Sequence, residues 1–197
     1  LFNIVKNIKG VTGMSFKLST KEVVGVAIGA ALFGVLMVYG GITVFTNTKL
    51  SSAYVIPVII GALFGPIPAA LVGLIGNFFA DFLGGWGYWI DWSVGNFFAC
   101  FFIGSLQLYG AKIKRGIFTT KHALIFSIVS ILGIGVSFGL ITPLLTLLLF
   151  SGEVTITFSQ AFAAVISNAT VVLVVGIPLL FGLSKRYESQ SNLIEED

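Results

Sequence analysis

Charge is scarce in this sequence. Its 197 residues hold 8 acidic and 11 basic side chains, 10% of the chain, beside 56% hydrophobic residues and a mean hydropathy of +1.03. A soluble domain carries about 25% charged residues. A fold of this length cannot hide so much apolar surface from water, which excludes the soluble enzymes and soluble binding modules. Cysteine is almost absent: the lone Cys100 lies in an apolar run, makes no intrachain disulfide or multi-cysteine metal site, and reads as a small core residue. The single histidine, His122, sits in a Lys/Arg-rich connection and reads as a solvated loop residue. With one histidine there is no H-E-x-x-H zinc motif and no plausible Ser/His/Asp set. No G-x-x-x-x-G-K-[ST] loop cradles a nucleotide. The basic residues form no face interleaved with aromatics, so nucleic acid is not an expected partner. Finally, no lysine, arginine or acid falls in the middle of an apolar span, where ion-coupled transporters carry such groups. The chain has a candidate site without an engine, and an intramembrane enzyme would lack its catalytic set.

Long apolar runs are what the chain does have. Several approach the ~18 to 20 residues that cross a bilayer as helix, so the expected fold is an all-α polytopic membrane protein, a bundle of six transmembrane helices. Segment one runs from Glu22 to Phe45, followed by a polar connection, Thr46 to Ala53. Segment two, Tyr54 to Phe64, is short and contains Pro57, which predicts a half-length or kinked helix. The turn Gly65 to Pro68 leads into segment three, Ala69 to Leu83, and the glycine-rich turn after it into segment four, Trp89 to Leu108. Segments five and six run from Ala123 to Phe150 and from Phe158 to Leu183. The domain plan is an N-terminal segment 1–20, a membrane domain 21–184 and a charged, frayed tail 185–197. The first apolar run is too long for a signal peptide core and is expected to remain as a helix. Met14 would serve as an ordinary start, and nothing is drawn from residues 1–13.

Charge placement sets the expected orientation. Lys6, Lys9, Lys17 and Lys21 precede segment one; Lys112, Lys114, Arg115 and Lys121 separate segments four and five; Lys185 and Arg186 follow six. Only Lys49 falls on the other side. The positive-inside rule then puts both termini in the cytoplasm and the turn between segments three and four outside.

The stretch from Asn77 to Asn96 around that turn concentrates the polar and aromatic groups of the chain. All three tryptophans, Trp86, Trp89 and Trp92, lie within it, with Asp81 and Asp91 and, on the flanking runs, Asn77 and Asn96. Asn77 and Asp81 share a helix face, as do Trp92 and Asn96. Asp91 has a structural role available as N-cap or first-turn acid, whereas Asp81 at a helix C-terminus opposes the macrodipole. The tryptophans fit either an interfacial belt or a stacking platform for a flat heteroaromatic ring whose polar edge meets Asn and Asp. Gln160 and Asn168 in segment six, spaced along one face with Ser167 nearby, are interhelical glue or site lining. Asn47 in the first outer connection could close over the ligand. In segment one, small residues recur at spacing four, including Ala27/Ala31 and Ala30/Gly34, and let another helix approach closely, inside the bundle or on a partner.

The small-residue stripe of the first span, the run IIGALFGPIPAALVGLIGNFFADFL and the aromatic turn into WSVGNFFACFFIGSL resemble the substrate-binding S components of energy-coupling factor (ECF) vitamin transporters. Within them the likeness is to the riboflavin-type group, including members related to hydroxymethylpyrimidine and pyridoxine binders, and it runs from Met14 to about Arg186. The resemblance implies a multi-pass protein of the bacterial plasma membrane that captures a vitamin or precursor at its outer face. It implies a membrane coupling subunit (the T component) and two cytoplasmic ATPases as partners. ATP and magnesium would then belong to those ATPases, leaving this chain with no cofactor, no metal and no catalytic residue. Carried onto this sequence, the coupling-subunit contact falls on Ala27 and Ala31, with Ala30 and Gly34 adjacent. The ligand site falls on Asn47, Trp92, Asn96, Gln160 and Asn168; Asn77, Asp81, Trp86 and Trp89 are added from the residues themselves. The alternative is a stand-alone secondary transporter or channel for a small neutral solute.

Overall fold

The computed structural model describes residues 18–45 and 48–195. Helix α1 spans Thr20–Tyr39 and opens on a capping box in which Ser19 Oγ accepts from the Glu22 N–H and the Glu22 carboxylate accepts from the Ser19 N–H. It stops six residues short of the expected Phe45. Gly40 and Gly41 break it, and the β-branched run after them pairs instead as strand β1, Gly41–Phe45, antiparallel to β2, Thr48–Ser51. The expected all-helical fold therefore contains one hairpin where a polar loop was anticipated. Side chains of β2 and of the turn after it tie back to the last carbonyls of α1 and its cap. Ser51 Oγ donates to Leu36 O (3.0 Å), Lys49 Nζ to Val38 O (2.7 Å) and Ser52 Oγ to Gly40 O (2.7 Å).

A single 3-10 turn, Ser52–Tyr54, enters α2, Val55–Phe64. Helix α2 is half-length, one of the two expected forms, and Pro57 lies in its first turn, where an N–H has no intrahelical partner to lose. Gly65, at φ 95°, reverses the chain directly into α3, Pro66–Gly84. Helix α4, Ile90–Ile103, is shorter than expected; Gly104 ends it and a 3-10 stretch, Ser105–Tyr109, follows. His122 is no free loop residue: Thr119 is the N-cap of α5, Thr120–Val136, and its N–H donates to His122 Nδ1 at 3.2 Å.

The two long helical rods share one device. Helix α5 continues through a π-helical turn, Ser137–Ile141, into α6, Thr142–Phe150, and α7, Val154–Val171, through another, Val172–Gly176, into α8, Ile177–Glu195. A proline follows each turn, Pro143 and Pro178; its ring crowds the carbonyl four residues back, and widening the helix relieves the clash without ending it. Helix α8 also runs well past Leu183, so the expected frayed tail is helical to Glu195. Leu183 and Tyr187 pack on the core there, and Glu188 lies against Gly116.

Among the described residues four helical stretches are long and apolar enough to cross a membrane: Thr20–Tyr39, Pro66–Gly84, Thr120–Phe150 and Val154–Gln190. Their outer faces carry large apolar side chains that no soluble protein would leave bare, such as Phe82 (81% exposed), Leu148 (78%) and Phe162 (68%). Phe33, Tyr54, Phe126, Phe138, Ile103 and Leu106 are fully enclosed and form the centre of the core.

Candidate ligand-binding site

Under the hairpin, a chain of polar side chains crosses the bundle from α2 to the tryptophan turn. Tyr54, Asn96, Asn77, Ser93 and Asp81 are all buried. The Tyr54 hydroxyl donates to Asn96 Oδ1 at 2.8 Å, and Asn96 Nδ2 donates to Asn77 Oδ1 and to the Trp92 carbonyl, both at 3.0 Å. Asn77 Nδ2 in turn donates to Ser93 Oγ (3.0 Å) and Asp81 Oδ2 (3.3 Å). Helical spacing creates half of this array by setting Asn77 over Asp81 on α3 and Ser93 near Asn96 on α4. Close approach creates the other half, because Gly73 leaves room on α3 for the backbone of α4 at Asn96. Each member satisfies its neighbour, which is what makes burying so many polar groups tolerable.

Asp81 keeps its place at the C-terminal end of α3 because the chain folds back to it. The Trp89 N–H donates to Asp81 Oδ2 at 3.0 Å and, with the Asn77 amide, offsets the unfavourable helix dipole. Asp91 is not an N-cap; Trp89 holds that position. Asp91 is instead fully buried in the first turn of α4, where its carboxylate accepts from the Thr146 hydroxyl of α6.

The tryptophans do not form one surface. Trp86 lies 5.5 Å from Lys49 Nζ, and Trp89 tilts against Phe150 with ring centroids 4.8 Å apart. Trp89 joins the polar chain through its N–H and Trp92 through its carbonyl; the Trp92 ring, half-buried, lies 5.8 Å from Phe138 and is inclined by 33°. Phe138 meets Tyr54, and Tyr54 meets Phe33, each edge to face. A floor of four aromatic rings thus runs beneath the amides, built by the π-helical turn and the 3-10 turn as much as by α4.

Helix α7 closes the other side and packs on β2. Gln160 is half-buried and Asn168 buried, with Ala164 between them on the inward face; Asn168 reaches toward the Tyr54 hydroxyl. Asn47 lies outside the described residues. The small-residue stripe divides in two. Ala27 and Ala31 are exposed, whereas Ala30 is fully buried and Gly34 faces α3, where a Cβ would come within 2.8 Å of Phe79 Cβ and 3.0 Å of the Gly76 carbonyl. Ala30 and Gly34 therefore pack inside this chain, correcting their expected place at a partner surface. Tyr54, Ser93 and Phe138 were not singled out from the sequence. Tyr54 is only the start of the second apolar segment there, and Ser93 and Phe138 carry no periodic or compositional signal of their own.

Residues 17–185 match the family model described as "ECF-type riboflavin transporter, S component". The chain belongs to this family. This S component is 35% identical over 181 residues to UPF0397 proteins of Aliivibrio fischeri (strain MJ11) and Aliivibrio salmonicida (strain LFI1238), covering 90% of this chain and 98% of each relative. No solved structure matches it significantly. Membership makes the chain a multi-pass membrane protein and a substrate-binding subunit of a transporter.

Proposed function

We propose that this S component captures a small, uncharged, flat heteroaromatic vitamin or precursor at the end of the bundle bearing the hairpin and the tryptophan turn. Hydroxymethylpyrimidine or pyridoxine is favoured, with riboflavin next. The observation that carries this reading is the amide and hydroxyl chain Tyr54–Asn96–Asn77 running beside the Trp92–Phe138 ring pair. Amides offer donors and acceptors to ring nitrogens and hydroxyls, and an indole offers a stacking face. The cation nearest this end, Lys49, is engaged by the Val38 carbonyl and Trp86, so the site is not furnished to grip a phosphate or carboxylate. Asn77, Asn96 and Asp81 are the proposed polar contacts and Trp92 the stacking contact; Gln160 and Asn168 line the α7 side, and Trp86 and Trp89 guard the mouth, while Asn47 is proposed as a ligand contact from the family resemblance alone.

The proposed setting is the plasma membrane, crossed six times, with α2 and α4 spanning together with the 3-10 turns that extend them. Helix α4 alone, 14 residues, reaches about 21 Å of a ~30 Å hydrocarbon layer. The excess of basic residues away from that end supports cytoplasmic termini by the positive-inside rule. Ala27 and Ala31, exposed together, supply the contact for a T component, and two ATPases carrying ATP and magnesium supply the energy.

The test is intrinsic fluorescence of the purified chain in detergent, titrated with hydroxymethylpyrimidine, pyridoxine, riboflavin, thiamine, biotin and folate. All three tryptophans lie between positions 86 and 92, so a ligand at the site reports itself. Saturable quenching by one neutral heteroaromatic compound is the expected result; binding of an anionic vitamin alone would overturn the substrate class.

A further inference from the structure

At the other end of the bundle, residues 110–118 make a turn that the ligand site does not use. Lys112 and Ile117 exchange both backbone hydrogen bonds (3.0 and 3.1 Å), and inside that bridge the Arg115 N–H donates to Lys112 O and the Gly116 N–H to Ile113 O. Gly110 (φ 89°) and Gly116 (φ 70°) take the left-handed conformations that start and close it. Ala111, Ile113 and Phe118 anchor it in the core. The result is a stiff arch from which Lys112, Lys114 and Arg115 project, all exposed.

Those cations border a cleft of about 370 Å³, lined also by Gln107, Ala62 and Ile113. Among the described residues no carboxylate lies within 4.0 Å of any of the three. The Glu22 carboxylate is near enough to feel the Lys114 charge but is bonded to Ser19, with which it forms the cap of α1. The Lys114 stem reaches across the apolar end of α2, its Nζ 4.9 Å from the Phe64 ring centroid. Leu108 (70% exposed) and Ile117 (42% exposed) flank the cations on the same stretch of chain. Positive charge, a side-chain amide and bare apolar residues thus meet at one concave place near the helix ends. A charge-assisted, multi-donor cleft of this kind suits the tetrahedral oxygens of a phosphoryl group.

We propose that the Gln107–Lys112–Lys114–Arg115 cleft is a phosphate-binding site, whose ligand is a phosphodiester headgroup of net negative charge or a soluble phosphate. It holds whichever substrate the opposite end takes. The delipidated full-length chain in neutral detergent would be titrated with dioctanoyl-phosphatidylglycerol, dioctanoyl-phosphatidylcholine and inorganic phosphate, reading bound adducts by native mass spectrometry. Two variants with equal loss of charge accompany it: Lys112→Gln/Lys114→Gln/Arg115→Gln in the cleft, and Lys21→Gln/Lys121→Gln/Lys185→Gln outside it. The expected result is saturable binding of one phosphatidylglycerol or one phosphate, at least about tenfold weaker in the cleft variant and within about twofold of the parent in the other. Displacement of the lipid by phosphate assigns a soluble ligand; lipid binding that phosphate leaves untouched assigns the headgroup. Equal binding of the two lipids without phosphate binding, equal loss in both variants, or no binding of any probe would overturn the proposal.

Discussion

Tyr54 Oη donates to Asn96 Oδ1 at 2.8 Å, joining the turn below the hairpin to α4 across 42 positions of sequence. The bond fixes which way the Asn96 amide points, and so whether its Nδ2 reaches Asn77. Tyr54→Phe keeps the ring in the core but leaves a buried carbonyl oxygen without its donor. The expected loss is about 1 to 3 kcal/mol of stability, read as a lower thermal midpoint in detergent, together with weaker ligand binding. An unchanged midpoint would mean that Asn96 repairs the gap elsewhere.

Trp92 and Trp86 should behave differently. Trp92→Ala removes the ring over Phe138 and should weaken ligand binding by about 1 to 3 kcal/mol if a base-like ring stacks there. Trp86→Phe, next to Lys49 at the surface, should leave affinity nearly unchanged. Equal effects in isothermal titrations would count against a stacking site at Trp92.

The two halves of the α1 stripe separate by readout. Ala27→Leu and Ala31→Leu lie on the exposed face and should spare ligand binding yet abolish co-purification with a T component and ATPases. Gly34→Leu meets Phe79 and Gly76 within the chain and should cost about 1 to 3 kcal/mol of stability before any partner is added. Normal assembly of both alanine variants would remove Ala27 and Ala31 from the proposed interface.

Acid should loosen the start of α7. The N–H groups of Ile156 and then Thr155 hold the exposed Glu153 carboxyl below its ordinary value of 4.5. A depressed folded value means that the stabilisation is complete above about pH 4.5 and is lost as the pH falls through the lower, folded value. Glu153→Gln should remove that part of the acid-side slope in thermal midpoints measured from about pH 6 to about pH 3. A slope identical to the parent's would show that other carboxyls carry it.

Much of this protein could be read from order and spacing along the chain. Apolar run length gave the membrane character, and an i,i+4 interval put Asn77 over Asp81 and Trp92 beside Asn96, because helical geometry is local. The quoted motifs gave the family. Wherever a second segment had to be known, the reading stopped. The end of α1 depended on Ser51, Lys49 and Ser52 returning to its last carbonyls and its cap, and the aromatic floor on two bends bringing Tyr54 and Phe138 under Trp92. The tryptophans looked like one cluster because they are neighbours in sequence, yet each ring points to a different helix or strand. In the same way Gly34 and Ala31 look alike in a list of small residues, and only the position of α3 decides that one is buried and the other bare. Local periodicity fixes which side chains share a face; which face meets which is settled by the packing of whole helices, and it is there that the polar chain of the candidate site is made.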